Sequence, residues 1–249
     1  MNSKQLLILS IDTATPCSAV ALTCGTRMNG RVLASLSLTG NVTHSRRLFS
    51  AIDHLMKKAE VGWSSISGIG VSLGPGSFTG LRIGMSTAKG LAAAAGKALL
   101  GVSTLDSLAA RCVSSRLICS VLDARKKEVY SSFYRCNTDG LTERVSDMTV
   151  MAPEKLAATI AEPVVMVGDG VMAYGDLFKG VLKEKVIFAP AQLHEPSASS
   201  LGMLAGEMLE SGEQLEVAGA VPVYIRSSDA ELSLLQKKNL VTGRHPVGQ

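Results

Sequence analysis

The stretch LGPGSFTGLRIGMSTAKGLAAAAG, residues 73–96, constrains the fold more than any other part of this chain. An apolar run at 68–73 reads as a strand. It must end where Pro75 removes a ladder donor, and Gly74 and Gly76 let the chain turn sharply. Ser77 then stands where a helix-capping hydroxyl belongs. Within 78–95 only Arg82 and Lys89 carry charge. A helix apolar on every side must be covered on every side. Gly80, Gly84 and Ala88 recur four apart, a small-residue stripe that lets another backbone approach closely; Phe78, Leu81, Met85 and Leu91 point elsewhere. Glycine costs about 1 kcal/mol at an interior helix position, so Gly80, Gly84 and Gly90 need compensation from packing. One face can lie on its own sheet. For the rest two covers are open, a second lobe of the same chain or a partner protein. The partner reading predicts that Gly84→Glu or Met85→Glu breaks an assembly while the monomer stays folded.

Periodicity supplies the surroundings. Period-two or buried apolar runs predict strands at 6–11, 18–24 and 31–38, joined by turns into an antiparallel meander. A helix is expected at 43–59, where Leu48, Ala51, Ile52, Leu55, Met56 and Ala59 recur at helical spacing. A short strand at 99–102 closes this unit. The second half predicts a helix at 104–112, strands at 117–122, 128–135 and 143–150, and a helix at 153–161. A strand at 164–167, a helix at 171–178, a strand at 185–189 and a helix at 197–210 follow. Both halves open with strand, Asp and hairpin, Ile11-Asp12-Thr13 and Leu122-Asp123-Ala124, which points to a duplicated α/β unit. The division expected is 1–102 for the first lobe, completed by 197–225, then 103–196 for the second lobe and 227–249 for a tail.

With 46% hydrophobic residues among 249, the chain can bury a sizeable core, and 18% charged residues exclude a disordered class. The formal charge of +4 is spread over short groups such as Arg46-Arg47 and Arg125-Lys126-Lys127. Autonomous nucleic-acid binding needs a more concentrated basic face with stacking rings, so these groups read as solvated surface. Cys17, Cys24, Cys112, Cys119 and Cys136 form no CxxC pair and are expected as reduced thiols. No apolar stretch reaches the length of a membrane span, and a soluble cytoplasmic protein is expected.

Few residues could carry chemistry. Asp12 and Asp123 end their strands before turns, where paired carboxylates suit a Mg-nucleotide cleft. Each can equally cap its own turn. No glycine lies between Asp12 and Ser18 to let backbone approach a phosphate. Gly168-Asp169-Gly170 follows an apolar strand and could place an anion at a helix start, though a lone GxG is common at such turns. His44, His54, His194 and His245 are scattered. A helical metal pair needs positions i and i+4, and His44 has Leu48 there. Neither an HExxH motif nor a Ser-His-Asp spacing is present.

Taken together, ILSIDTATPCSAVAL (8–22), THSRRL (43–48), LGPGSFTGLRIG (73–84), GVSTLDSLA (101–109), VLDARKKEVY (121–130), VGDG (167–170) and PVYIR (222–226) resemble the TsaB (YeaZ) family. The resemblance implies an actin-like ATPase (ASKHA) fold, two RNase H-like lobes with mixed sheets flanked by helices. It implies a non-catalytic scaffold or activator in making N6-threonylcarbamoyladenosine (t6A37) in tRNA. The catalytic paralogue TsaD would dimerise with it and carry the metal, the ATP/ADP-linked site and the transfer chemistry. The ATPase TsaE would join them, and tRNA would be engaged indirectly. Alone, the chain would form a homodimer. The contact would involve His44, Arg47, Leu48, Ala51 and Leu55 on one helix and Phe78, Gly80, Arg82, Gly84, Met85, Ala88 and Lys89 on the next. Asp12, Asp123, Gly168 and Gly170 would be the remnant of a nucleotide site, with no cofactor of its own. An active actin-fold ATPase or kinase is the alternative, and a glycoprotease-like peptidase a more distant one.

Overall fold

The structure is a computed structural model that describes residues 6–39 and 44–226; the expected tail lies outside the described residues. Its first sheet holds β1 (Leu7–Asp12), β2 (Ser18–Cys24), β3 (Arg31–Leu38), β4 (Gly68–Gly74) and β5 (Ala98–Ser103), in the order β3-β2-β1-β4-β5. The meander β1-β2-β3 is antiparallel, whereas β4 and β5 join it in parallel through helical crossovers. α1 (His44–Lys58) leads into β4, and α2 (Phe78–Ala95) connects β4 to β5.

The second sheet repeats this plan. β6 (Leu117–Asp123), β7 (Val129–Cys136), β8 (Thr142–Arg144), β10 (Val164–Val167) and β11 (Val186–Phe188) lie in the order β11-β10-β6-β7-β8, and β9 (Thr149–Met151) also pairs with β7. α3 (Thr104–Ala109), α4 (Pro153–Thr159), α5 (Asp169–Leu182) and α6 (Ala198–Glu210) complete the chain. Strand for strand, β6, β7, β10 and β11 take the places of β1, β2, β4 and β5. The duplication expected from the two Asp-ended strands is therefore present in the topology.

Alternation along the central strands sets the layers. Leu9 and Ile11 of β1 face α1 and α2, where they meet Leu48, Ile52, Leu55, Met85 and Ala88. Ile8 points the other way, into Leu201 and Ala205 of α6. In the second sheet Ile118 and Leu122 face α3, while Cys119 and Val121 face α4 and α5. Sheet side chains alternate with period two, so each central strand serves two cores. α3 and α6 meet between the sheets, where the Ser200 hydroxyl donates to Ser107 O at 2.8 Å and the Ser107 hydroxyl to Ser197 O at 3.2 Å.

Two expectations shift. The strand expected at 143–150 is broken into β8 and β9 because the Ser146 hydroxyl accepts the Phe133 N–H at 2.9 Å, replacing a ladder bond. α5 begins two residues earlier than its apolar pattern, since Gly168 with φ +118° turns the chain directly into it. The five cysteines are free thiols, and Cys136 alone is half-exposed. Among the described residues no helix is long and apolar enough to cross a membrane.

Candidate functional site

The end of β1 and the start of α2 are built against each other. The Thr13 hydroxyl donates to Gly80 O at 2.7 Å, and Ser77 N donates to Ala14 O at 2.7 Å. A Cβ on Gly80 would land on the Thr13 carbonyl oxygen, one on Gly84 on the Thr13 hydroxyl, and one on Gly76 on the Ala14 carbonyl. Ser77 caps the helix as its position predicts, accepting from Gly80 N at 3.3 Å. The small-residue stripe therefore faces the hairpin of its own lobe. Met85, Ala88, Leu48, Ala51 and Leu55 are likewise buried in that lobe's core. This corrects the partner reading for Gly80, Gly84, Met85, Ala88, Leu48, Ala51 and Leu55: the first lobe already covers them.

Asp12 is 0% exposed. One carboxylate oxygen accepts from Ala14 N at 2.9 Å, the Asx-turn role. The other oxygen and the Ser72 hydroxyl are buried without a well-formed hydrogen bond. Burial pushes the Asp12 carboxyl above the usual carboxylate range, against the opposing pull of Ala14 N–H and Ser72. The expected cleft carboxylate is thus enclosed, and a phosphate or hydrated metal has no surface of it to meet.

In the second lobe Asp123, Gly168, Asp169 and Gly170 do come together. Asp123 N donates to Asp169 Oδ1 at 2.9 Å. Asp123 itself accepts from Arg125 N at 2.8 Å and pairs with the Arg125 guanidinium at 3.2 Å. Burial raises the Asp169 carboxyl above its ordinary value; the Asp123 N–H opposes this and the Asp123 charge adds to it. The glycines have a packing explanation: a Cβ on Gly168 would strike Val121 O, and one on Gly170 would lie 2.6 Å from Val121 Cγ1. His194, which sequence reading left unassigned, backs this turn, its Nδ1 accepting from Gly168 N at 3.2 Å. Among the described residues no three His, Cys, Asp or Glu side chains gather as a metal set. The side chain of His44 lies outside the described residues, so its expected contact is not placed.

The outer face of α1 and α2 is a different set of residues from the stripe. Phe49 is 58% exposed, and Asp53, His54, Arg82, Ser86 and Ala93 are exposed beside it. A groove of about 570 Å³ runs between Phe49, Met56, Trp63 and Leu91. Phe78 is half-buried, with the Arg82 guanidinium 3.9 Å above its ring and the Tyr224 ring 5.0 Å away. The two cations of α2 hold the chain end: Arg82 Nε donates to the Tyr224 hydroxyl at 3.2 Å, and Lys89 Nζ donates to Ala218 O at 2.8 Å and Ala220 O at 3.0 Å. Phe49 carried a sequence signal, an aromatic one step outside the apolar stripe of an amphipathic helix. Tyr224 carried none, because its neighbour on α2 is 142 residues away.

Known proteins share both lobes. The family model for TsaD, tRNA N6-adenosine threonylcarbamoyltransferase, matches residues 39–234. The tRNA threonylcarbamoyladenosine biosynthesis protein TsaB of Escherichia coli (strain K12) is 31% identical over 229 residues, 90% of this chain and 96% of that one. TsaB of Bacillus subtilis (strain 168) is 30% identical over 239 residues, 94% of this chain and 100% of that one. The solved structure of YeaZ from Pseudomonas aeruginosa superposes with a TM-score of 0.73 at 30% identity, covering 88% of this chain and 99% of that one. The two mixed-sheet lobes are the architecture that the resemblance implied, and with identity of this degree across nearly the whole length the chain belongs to the TsaB (YeaZ) family of tRNA threonylcarbamoyladenosine biosynthesis proteins.

Proposed function

We propose that this chain is a non-catalytic scaffold subunit for t6A37 formation in tRNA, activating the catalytic paralogue TsaD by dimerising with it. The observation that carries this reading is the enclosure of Asp12, fully buried as the cap of its own turn. An actin-like lobe that worked on a nucleotide would need that carboxylate open to a metal or phosphate. ATP/ADP and metal then belong to the partner's side, and TsaE joins the same assembly. The contact runs over the outer face of α1 and α2, centred on Phe49, Phe78 and Arg82. Aromatic and arginine side chains of this kind supply most of the energy at protein interfaces. In the absence of TsaD the same face pairs two copies of the chain.

Co-purification with TsaD, followed by a tRNA modification assay with and without this chain, tests the proposal. Phe49→Asp should abolish co-elution while the melting curve of the isolated chain stays unchanged, since Phe49 is mostly outside its own core. Equal t6A formation without the chain would refute the activator role. Co-elution untouched by both Phe49→Asp and Arg82→Glu would refute the interface.

A further inference from the structure

The β6–β7 hairpin turns through three consecutive non-glycine residues in the left-handed region, Arg125 (φ 60°), Lys126 (φ 53°) and Lys127 (φ 60°). Glycine adopts this conformation freely, and L side chains strain against the backbone in it. The other described non-glycine residues at positive φ, Glu60 and Lys183, stand singly. The tip is nevertheless firmly built. Arg125 N donates to Asp123 Oδ1 at 2.8 Å, Glu128 N to Arg125 O at 3.0 Å, and Ala124 N to Glu128 O at 3.0 Å.

All three strained residues are cations and all are exposed. The carboxylates at the base are already engaged, Asp123 with Arg125 at 3.2 Å and Glu128 with Arg226 at 2.9 Å. Asp169, half-buried beneath the hairpin, accepts from Asp123 N. Three exposed cations, Arg125, Lys126 and Lys127, thus stand side by side at the tip. No apolar side chain stands among residues 125–128, which removes the means of inserting into a lipid surface. Non-glycine residues held in the left-handed region cluster at ligand clamps and other functional sites. Exposed cations on a rigid turn fit a regular array of negative charge.

We propose that the tip Arg125-Lys126-Lys127 is a contact for the phosphate backbone of RNA, placing this subunit directly against the tRNA substrate. The inference rests on the t6A reading above, which supplies the RNA. It adds one patch to a larger assembly and does not require the chain to bind RNA alone.

The test uses the complex of this chain with TsaD and TsaE and an unmodified tRNA transcript. Binding is measured by fluorescence anisotropy from 50 to 200 mM salt. Lys126→Gly/Lys127→Gly should weaken tRNA binding roughly tenfold at the lower salt and reduce the slope of log Kobs against log salt by about one to two units. Lys126→Arg/Lys127→Arg should retain both. The glycine variant should melt no lower than the parent chain, because glycine relieves the strain. An unchanged Kd and slope would overturn the proposal. So would loss of co-elution with TsaD or TsaE, which would make the tip a protein contact. If the parent chain adds nothing to t6A formation while the tip variants still weaken tRNA binding, the scaffold reading fails and the tip contact stands.

Discussion

Gly80→Ala separates the two explanations of the small-residue stripe. For an isolated helix the change is favourable by about 1 kcal/mol, because alanine loses less backbone entropy. Here the new methyl would land on the carbonyl oxygen of Thr13 and lie 3.2 Å from its carbonyl carbon. That oxygen is main chain, so no side-chain rotation relieves the clash. Either α2 moves off β1 or the hairpin end shifts. Both movements break the bond from the Thr13 hydroxyl to Gly80 O, which is buried at 2.7 Å. Overpacking a core costs about 1–3 kcal/mol, and a buried hydrogen-bonding group left unsatisfied costs about 1–3 kcal/mol more. Set against the gain in propensity of about 1 kcal/mol, the net loss is about 1–5 kcal/mol. For a chain of this size that lowers Tm by roughly 2–20 °C. Gly90→Ala is the control: no atom lies within 4 Å of its added methyl, so it should raise Tm by roughly 2–4 °C. Circular dichroism melts of the isolated chain read both. If Gly80→Ala melted at or above the parent temperature, the hairpin contact would be wrong and the stripe would be free for a partner. By the same reasoning Gly84→Glu, first expected to spare the monomer, should unfold it.

Asp12→Asn should raise Tm at neutral pH. The folded carboxyl is held above its ordinary value by burial, so its stabilising contribution is present below about pH 3.8 and is lost as pH rises through the folded value. The gain should shrink toward acid pH, and a destabilised variant at pH 7 would contradict the enclosed cap. His194 is buried and its imidazole is held below its usual value, mainly by burial and against the Ala189 carbonyl. Below about pH 6.5 the unfolded chain takes up the proton first, so stability falls with pH. Urea melts from pH 8 to 5 should show a shallower slope for His194→Gln, and identical slopes would refute this. Arg27 donates to both Glu207 oxygens at 2.8 Å and to Thr142 O at 2.9 Å, with 17% of its side chain exposed. Arg27→Met should cost about 2 kcal/mol and speed hydrogen exchange at 142–144; unaltered exchange there would mean that the arginine does not tie β8 to the first lobe.

Most of the architecture was legible because it rests on local patterns. The apolar runs at 6–11 and 117–122 announced strands, and the cap at Ser77 stood at its helix start. The broken strand at 143–150 was not legible, because the Ser146 hydroxyl that interrupts it meets a backbone group thirteen residues away. The site was harder. The spacing of Gly80, Gly84 and Ala88 gives the close approach correctly but not what approaches, and a hairpin 67 residues earlier satisfies it as well as a partner helix. Arg82 and Lys89 stand out in the sequence as the two charges of an apolar helix, but the bonds they make within the chain do not. Their neighbours, Tyr224 and the 218–220 carbonyls, come from the far end of the chain.

The duplicated lobes show why glycine motifs of this kind mislead. In each lobe a glycine-bearing turn leads from a parallel strand into a helix, and in each the turn is pressed against the first strand of its sheet. Gly76, Gly80 and Gly84 meet Thr13 and Ala14 at the end of β1; Gly168 and Gly170 meet Val121 of β6. In a nucleotide-binding lobe such glycines open backbone N–H groups to phosphate. Here the protein's own main chain fills that space. In the first lobe the Asp12 carboxylate turns inward to Ala14 N, and in the second Asp123 is held by Arg125. In both lobes these residues are engaged in packing and turn hydrogen bonds. Opening the first lobe at this point would break the Thr13–Gly80 bond and expose a carboxyl held above its usual range. On the scaffold reading proposed above, the chain's contribution to a shared reaction comes from its outer surfaces, the α1–α2 face and the cationic β6–β7 tip.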